Sequence, residues 1–125
     1  MFHEEDIPLL KGYTFTKVDT DKSEYINFFR SDGAVLKMYH EYQCCENVWL
    51  DDICGDLQDL VGEEILQASI CSSNDPKHQN GMGDDDMWRE WTFYKIATIK
   101  GHVTLRWCGE TAQNYSLEVT LRRIK

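Results

Sequence analysis

Polar and apolar residues alternate along most of this chain with a period of two, the signature of strands and not of helices. Residues 13–18, 24–29 and 34–41 form three such runs, parted by Asp19-Thr20-Asp21-Lys22 and by Ser31-Asp32-Gly33. Asp-Gly between extended runs predicts a hairpin, because both residues accept the backbone angles of a tight turn. Residues 65–71 read as a further strand. Residues 88–98, 102–108 and 115–124 continue the pattern, joined by Lys100-Gly101 and Gly109-Glu110-Thr111. Val103, Leu105 and Trp107 share one strand face, and Tyr115, Leu117, Val119 and Leu121 share another, so this part is expected to form an antiparallel meander with a common core.

Helical signals are short. Residues 4–10 offer Ile7, Leu9 and Leu10 for packing, with Pro8 keeping the helix brief and Gly12 ending it. Asp56 is placed as an N-cap before Leu57, Leu60 and Val61, which share a face, and Gly62 terminates the turn. Residues 72–86, rich in Ser, Asn, Asp and Gly, are expected to form a long surface loop. The predicted architecture is α+β and β-rich: an antiparallel meander sheet or half-barrel of about six strands with one or two short helices. A length of 125 residues with 42% hydrophobic content suits one core, hence a single domain over 1–125.

Charge changes this picture. The formal net charge is −9, but residues 1–37 sum to −2, residues 38–86 to −11 and residues 87–125 to +4. In the middle segment twelve carboxylates stand against Lys77 alone. An acidic face is therefore expected, one that repels nucleic acid and anionic lipid and draws in basic protein surfaces. Direct nucleic-acid and membrane partners are disfavoured. No apolar run approaches the roughly 20 residues needed to span a bilayer, and Met1-Phe2-His3-Glu4-Glu5-Asp6 lacks the features of a signal peptide, so a cytoplasmic location is expected. Five cysteines, Cys44, Cys45, Cys54, Cys71 and Cys108, form an odd set without C-x-x-C spacing. That fits a reducing compartment, with no structural disulfide expected.

Several constellations invite chemistry. His40, Cys44 and Cys45, with Asp51 and Asp52 nearby and Cys54 within reach, supply ligand types that zinc prefers, although adjacent cysteines point to opposite sides of an extended segment. The bland alternative is a hydrogen-bonded, partly buried histidine beside packing thiols. A cysteine nucleophile paired with His40 or His102 is conceivable, yet nothing selects which cysteine. Asp51, Asp52, Asp56, Glu63 and Glu64 could hold a hard cation, but capping and solubilising charge explain them more simply. Trp88, Trp91, Phe93, Tyr94 and Trp107 read as core and sheet surface in preference to a base-stacking platform, because few cations accompany them. No cofactor is implied.

Two stretches resemble a domain family shared by bacteriophages and bacteria for which no activity is known. Residues 40–62 are similar to its pattern H-x-x-x-C-C-E followed by G-D-L-x-D-L-V-G, and residues 91–110 to W-T-F-Y-K-I-A-T-x-K-G and its continuation. Gln43 stands where the family pattern has an aspartate, and Ala112-Gln113-Asn114-Tyr115 replaces a turn rich in glycine and tyrosine. The resemblance implies a fold and a phage association, not a reaction. With the acidic segment, it leads to the expectation of a non-catalytic binding protein, in its narrowest form a phage-encoded inhibitor of a host defence nuclease. It would dock on a basic, nucleic-acid-binding surface through Glu46, Asp51, Asp52, Asp56, Asp59, Glu63 and Glu64. The alternatives are a metal-binding or hydrolytic domain using His40, Cys44, Cys45, Asp51 and Asp52, or a structural or assembly subunit.

Overall fold

A computed structural model of the chain describes residues 4–5, 7–74, 88–111 and 117–125. Its strands are β1 (Glu4–Glu5), β2 (Phe15–Thr20), β3 (Tyr25–Arg30), β4 (Val35–Tyr39), β5 (Asn47–Cys54), β6 (Gln67–Asn74), β7 (Trp88–Thr98), β8 (Gly101–Thr111) and β9 (Thr120–Arg123). Apart from β1, a two-residue pairing, each is four residues or longer. They form two antiparallel sheets, a five-stranded one ordered β1-β9-β4-β3-β2 and a four-stranded one ordered β5-β8-β7-β6.

Local chemistry explains the first sheet. Between β2 and β3 the Asp21 carboxylate accepts the N–H groups of Ser23, Glu24 and Tyr25 at 2.9, 2.6 and 3.1 Å, which closes the turn. Desolvation pushes this carboxyl up, but the three backbone bonds prevail and hold it below its ordinary value. Between β3 and β4 the Arg30 guanidinium forks onto Asp32 at 2.9 and 2.8 Å, and Asp32 accepts the Ala34 N–H at 3.0 Å. Gly33 takes the left-handed backbone that this turn needs, with φ +93°. The hairpin expected at Asp32-Gly33 is present.

The sheets stack over one core. Phe15, Ile26, Phe28, Leu36 and Met38 from the first sheet meet Leu50, Tyr94, Ile96, Val103, Leu105 and Trp107 from the second. Along one side, residues 61–65 strap the free edge of β2: Gly62 N–H donates to Phe15 O and Ile65 N–H to Tyr13 O, both at 2.8 Å. The strap thus covers the start of that edge, at Tyr13 and Phe15.

Four expectations need correction. Among the described residues there is no α-helix: where a helix over 4–10 was expected, Glu4–Glu5 is strand β1 and Ile7–Leu10 a 3-10 turn, and the Asp56-capped segment is the 3-10 turn Leu57–Leu60. Four residues of apolar spacing are too few for an α-helix to propagate. β5 adds a strand where none was expected, because Asp51 and Asp52 interrupt its alternation at a register shift between Leu50 and Asp52. β9 does not extend a meander with β8; it crosses to the other sheet and pairs with β4 and β1. The result is a pair of stacked sheets and not a half-barrel. Of the expected 72–86 loop, Ser72, Ser73 and Asn74 belong to β6, and the remainder lies outside the described residues, as does Tyr115. No helix among the described residues is long and apolar enough to cross a membrane.

Candidate functional site

The acidic segment is distributed by β5, the turn after it and the strap. Asp51 accepts from Arg106 Nε at 2.7 Å and from Trp49 Nε1 at 3.3 Å, so its charge is partly spent on the sheet surface. Asp56 caps the turn Leu57–Leu60 by accepting the Gln58 N–H at 2.9 Å, as its position predicts. Asp51, Asp52 and Asp56 line one open depression of about 510 Å³, which also contains Lys22. Asp59 is half-buried, with its carboxylate lying over Gly101, while Glu63 and Glu64 are exposed on the strap. Gly55 holds the end of β5 against β8: its φ is +112°, and a Cβ there would stand 2.5 Å from the His102 carbonyl oxygen.

Glu46 leaves this set. Its carboxylate is fully buried, accepting the Gln43 N–H at 2.7 Å and the Cys44 N–H at 2.9 Å, and it faces His40 Nε2 at 2.7 Å. His40 Nδ1 lies 2.7 Å from the Glu118 carbonyl oxygen. Both ring nitrogens thus stand opposite oxygen atoms, which fixes the orientation of the ring. Burial would raise the Glu46 carboxyl, but the Cys44 N–H, the His40 ring and the Gln43 N–H together bring it down to about 2. Glu46 is an internal tie for the 40–46 loop and cannot touch a partner.

The same arrangement sets His40 apart from the other residues of the metal alternative. Its two ring nitrogens face the Glu118 carbonyl oxygen and the Glu46 carboxylate. Asp51 and Asp52 belong to the depression beside Lys22, not to the His40 loop. Among the described residues no group of three or more His, Cys, Asp or Glu side chains could hold a metal ion. The sulfurs of Cys44 and Cys45 are joined in a vicinal disulfide, contrary to the expectation of none. Cys108 is an unpromising nucleophile, since burial and the Asp51 charge push its thiol up to about 11.

The aromatic residues divide as alternation requires. Trp107 and Tyr94 are in the core, whereas Trp91 and Phe93 lie with Trp49 around an open surface of the second sheet. Cys108 pairs with Trp49 on one neighbouring strand and Trp91 on the other. The ion pairs Arg89–Glu110 and Arg106–Asp51, at 2.8 and 2.7 Å, border this surface. Trp49 escaped sequence reasoning because β5 did. So did Glu90 and Thr92, which share the inner side of β7 with Tyr94; a tyrosine pattern alone does not reveal that the sheets part there.

In comparisons with known proteins, a family model matches residues 9–121. No curated protein and no solved structure matches the chain.

Proposed function

The chain belongs to the family of that model, a domain of unknown function (DUF7448), and from the geometry of its acidic edge we propose a non-catalytic binding module that docks on a basic protein surface. The carrying observation is the exposure of Asp52, Asp56, Glu63 and Glu64 on a frame held by β5, a capped turn and a strap bonded to β2. Of the nearby cations, Arg106 pairs with Asp51 and Lys100 Nζ donates to Val61 O at 2.6 Å, while Lys22 stands in the depression beside Asp52 and Asp56. Exposed carboxylates on a rigid support steer a basic partner and set its register without first having to be ordered. In its narrower form, the partner is a nucleic-acid-binding effector of a phage-infected bacterial cell, whose basic channel the module blocks. Glu46 has no part in this docking, and Asp51 contributes little.

Binding to a purified basic nuclease, followed by calorimetry as salt is raised from roughly 0.05 to 0.5 M, tests the proposal through the screening of surface charge. Affinity should fall by about tenfold or more over that range. The combined variant D52N/D56N/E63Q/E64Q should bind weakly at every salt concentration; its D56N change preserves the cap, because asparagine caps a helical turn about as well as aspartate. An affinity indifferent to salt, or a variant that binds as well as the parent, would sink the reading.

A further inference from the structure

The two sheets do not meet along their whole length. Toward the start of β7 they leave a cleft of about 570 Å³, within the roughly 300 to 1,000 Å³ typical of small-molecule sites. Ile7, Met38 and Leu121 supply apolar wall from the first sheet and the turn beside it. Strand alternation sends Glu90, Thr92 and Tyr94 of β7 into the cleft together. Polar residues at three successive inward positions contradict what a sheet-on-sheet core requires. Farther along the same face Ile96 restores the apolar pattern.

Burial makes these residues informative. Thr92 is 8% exposed and Tyr94 2%, yet among the described residues neither hydroxyl takes part in a hydrogen bond. Hydroxyl oxygens without a partner inside the protein are open to a donor that enters the cleft. Desolvation, then the charges of Glu118 and Glu90, push the Tyr94 phenol well above the ordinary tyrosine range, so it stays a neutral hydroxyl. No lysine or arginine among the described residues lines the cleft. Among the described lining residues, oxygen acceptors thus stand without a cationic donor.

We propose that this cleft binds a primary amine with an apolar body, its ammonium group seated along the file Glu90, Thr92 and Tyr94 and its hydrocarbon part against Ile7, Met38 and Leu121. An ammonium brings three donors to an environment made of a carboxylate and hydroxyl oxygens. Either a free amine or the lysine side chain of a peptide presents this chemistry. None of these residues belongs to the acidic edge, so the proposal stands independently of the docking reading.

Amide shifts of the full chain in ¹H–¹⁵N spectra give the test, with hexylamine hydrochloride as probe and hexanol, hexanoate and Nα-acetyl-lysine methylamide alongside. Hexylamine should shift Thr92, Tyr94 and Leu121 saturably, with hexanol binding about tenfold more weakly for want of the charge-assisted bonds and hexanoate not binding. E90Q should lose about tenfold toward hexylamine on the same grounds. The dispersed spectrum reports whether the variant is folded; if E90Q is not, T92V serves in its place with a smaller loss expected. Binding of the lysine derivative as tight as that of hexylamine assigns the cleft to a side chain, and weaker binding assigns it to a free amine. The proposal is overturned if hexanol or hexanoate binds as well as the amine, if the folded variant binds unchanged, or if hexylamine produces no saturable shift in the cleft.

Discussion

Glu46 shows how far one side chain can depart from the role its charge implies. In the sequence it is one acid among twelve in the −11 segment; in the structure it organises a loop from within, and its ties to His40, Gln43 and Cys44 need the carboxylate form. Its folded value of about 2 lies below the ordinary 4.5. A depressed carboxyl contributes stability that is complete above the unfolded value and lost as pH falls through the folded one. Thermal melts of the parent and E46Q should therefore differ most near neutral pH, with the gap narrowing from about pH 4.5 toward pH 2. Asp21 and Asp32 are also held below their ordinary values, but both proteins share them, so their effects cancel. A gap that stays constant with pH would show that the Glu46 charge does not matter. The H-x-x-x-C-C-E string was conspicuous, yet its role could not be read, because the acceptor at His40 Nδ1 comes from Glu118, 78 residues away.

At the scale of elements, legibility followed regularity. β7 falls on residues 88–98 as its alternation predicts, and β8 contains the whole run expected at 102–108. The Asp32-Gly33 turn and the Asp56 cap were legible too, since each depends on residues a few positions apart. β5 was not, because its bulge places Asp51 and Asp52 in succession where an alternating strand would bury one of them. Its far end depends on Gly55, where a side chain meets both a left-handed backbone and a carbonyl oxygen 2.5 Å away. G55A should cost about 1 to 3 kcal/mol. Chemical denaturation would show this as a lower midpoint with an unchanged slope; a midpoint within error of the parent's would mean that the end of β5 gives way freely.

For the whole molecule, the pairing of β9 between β4 and β1 matters most, and it was the least legible feature. Alternation shows that residues 117–121 have an apolar face but not which sheet receives it. That choice depends on the vacant edge of β4, where Leu121 settles opposite Met38. Removing residues 120–125 would strip a paired strand from Leu36 to Tyr39 and open the core beside Leu36 and Met38, both fully buried. The shortened chain is expected to lose its cooperative melt, monitored by circular dichroism, and to bind a hydrophobic dye. A sharp transition at the parent temperature would contradict this role for β9. Temporal order follows from the same pairing. Strands β2, β3 and β4 leave the ribosome early and can form hairpins at once, but β4 must wait for a neighbour made after every strand of the second sheet. Until then its edge is an open seam, so synthesis itself passes through a stage in which nascent chains are most prone to pair with one another.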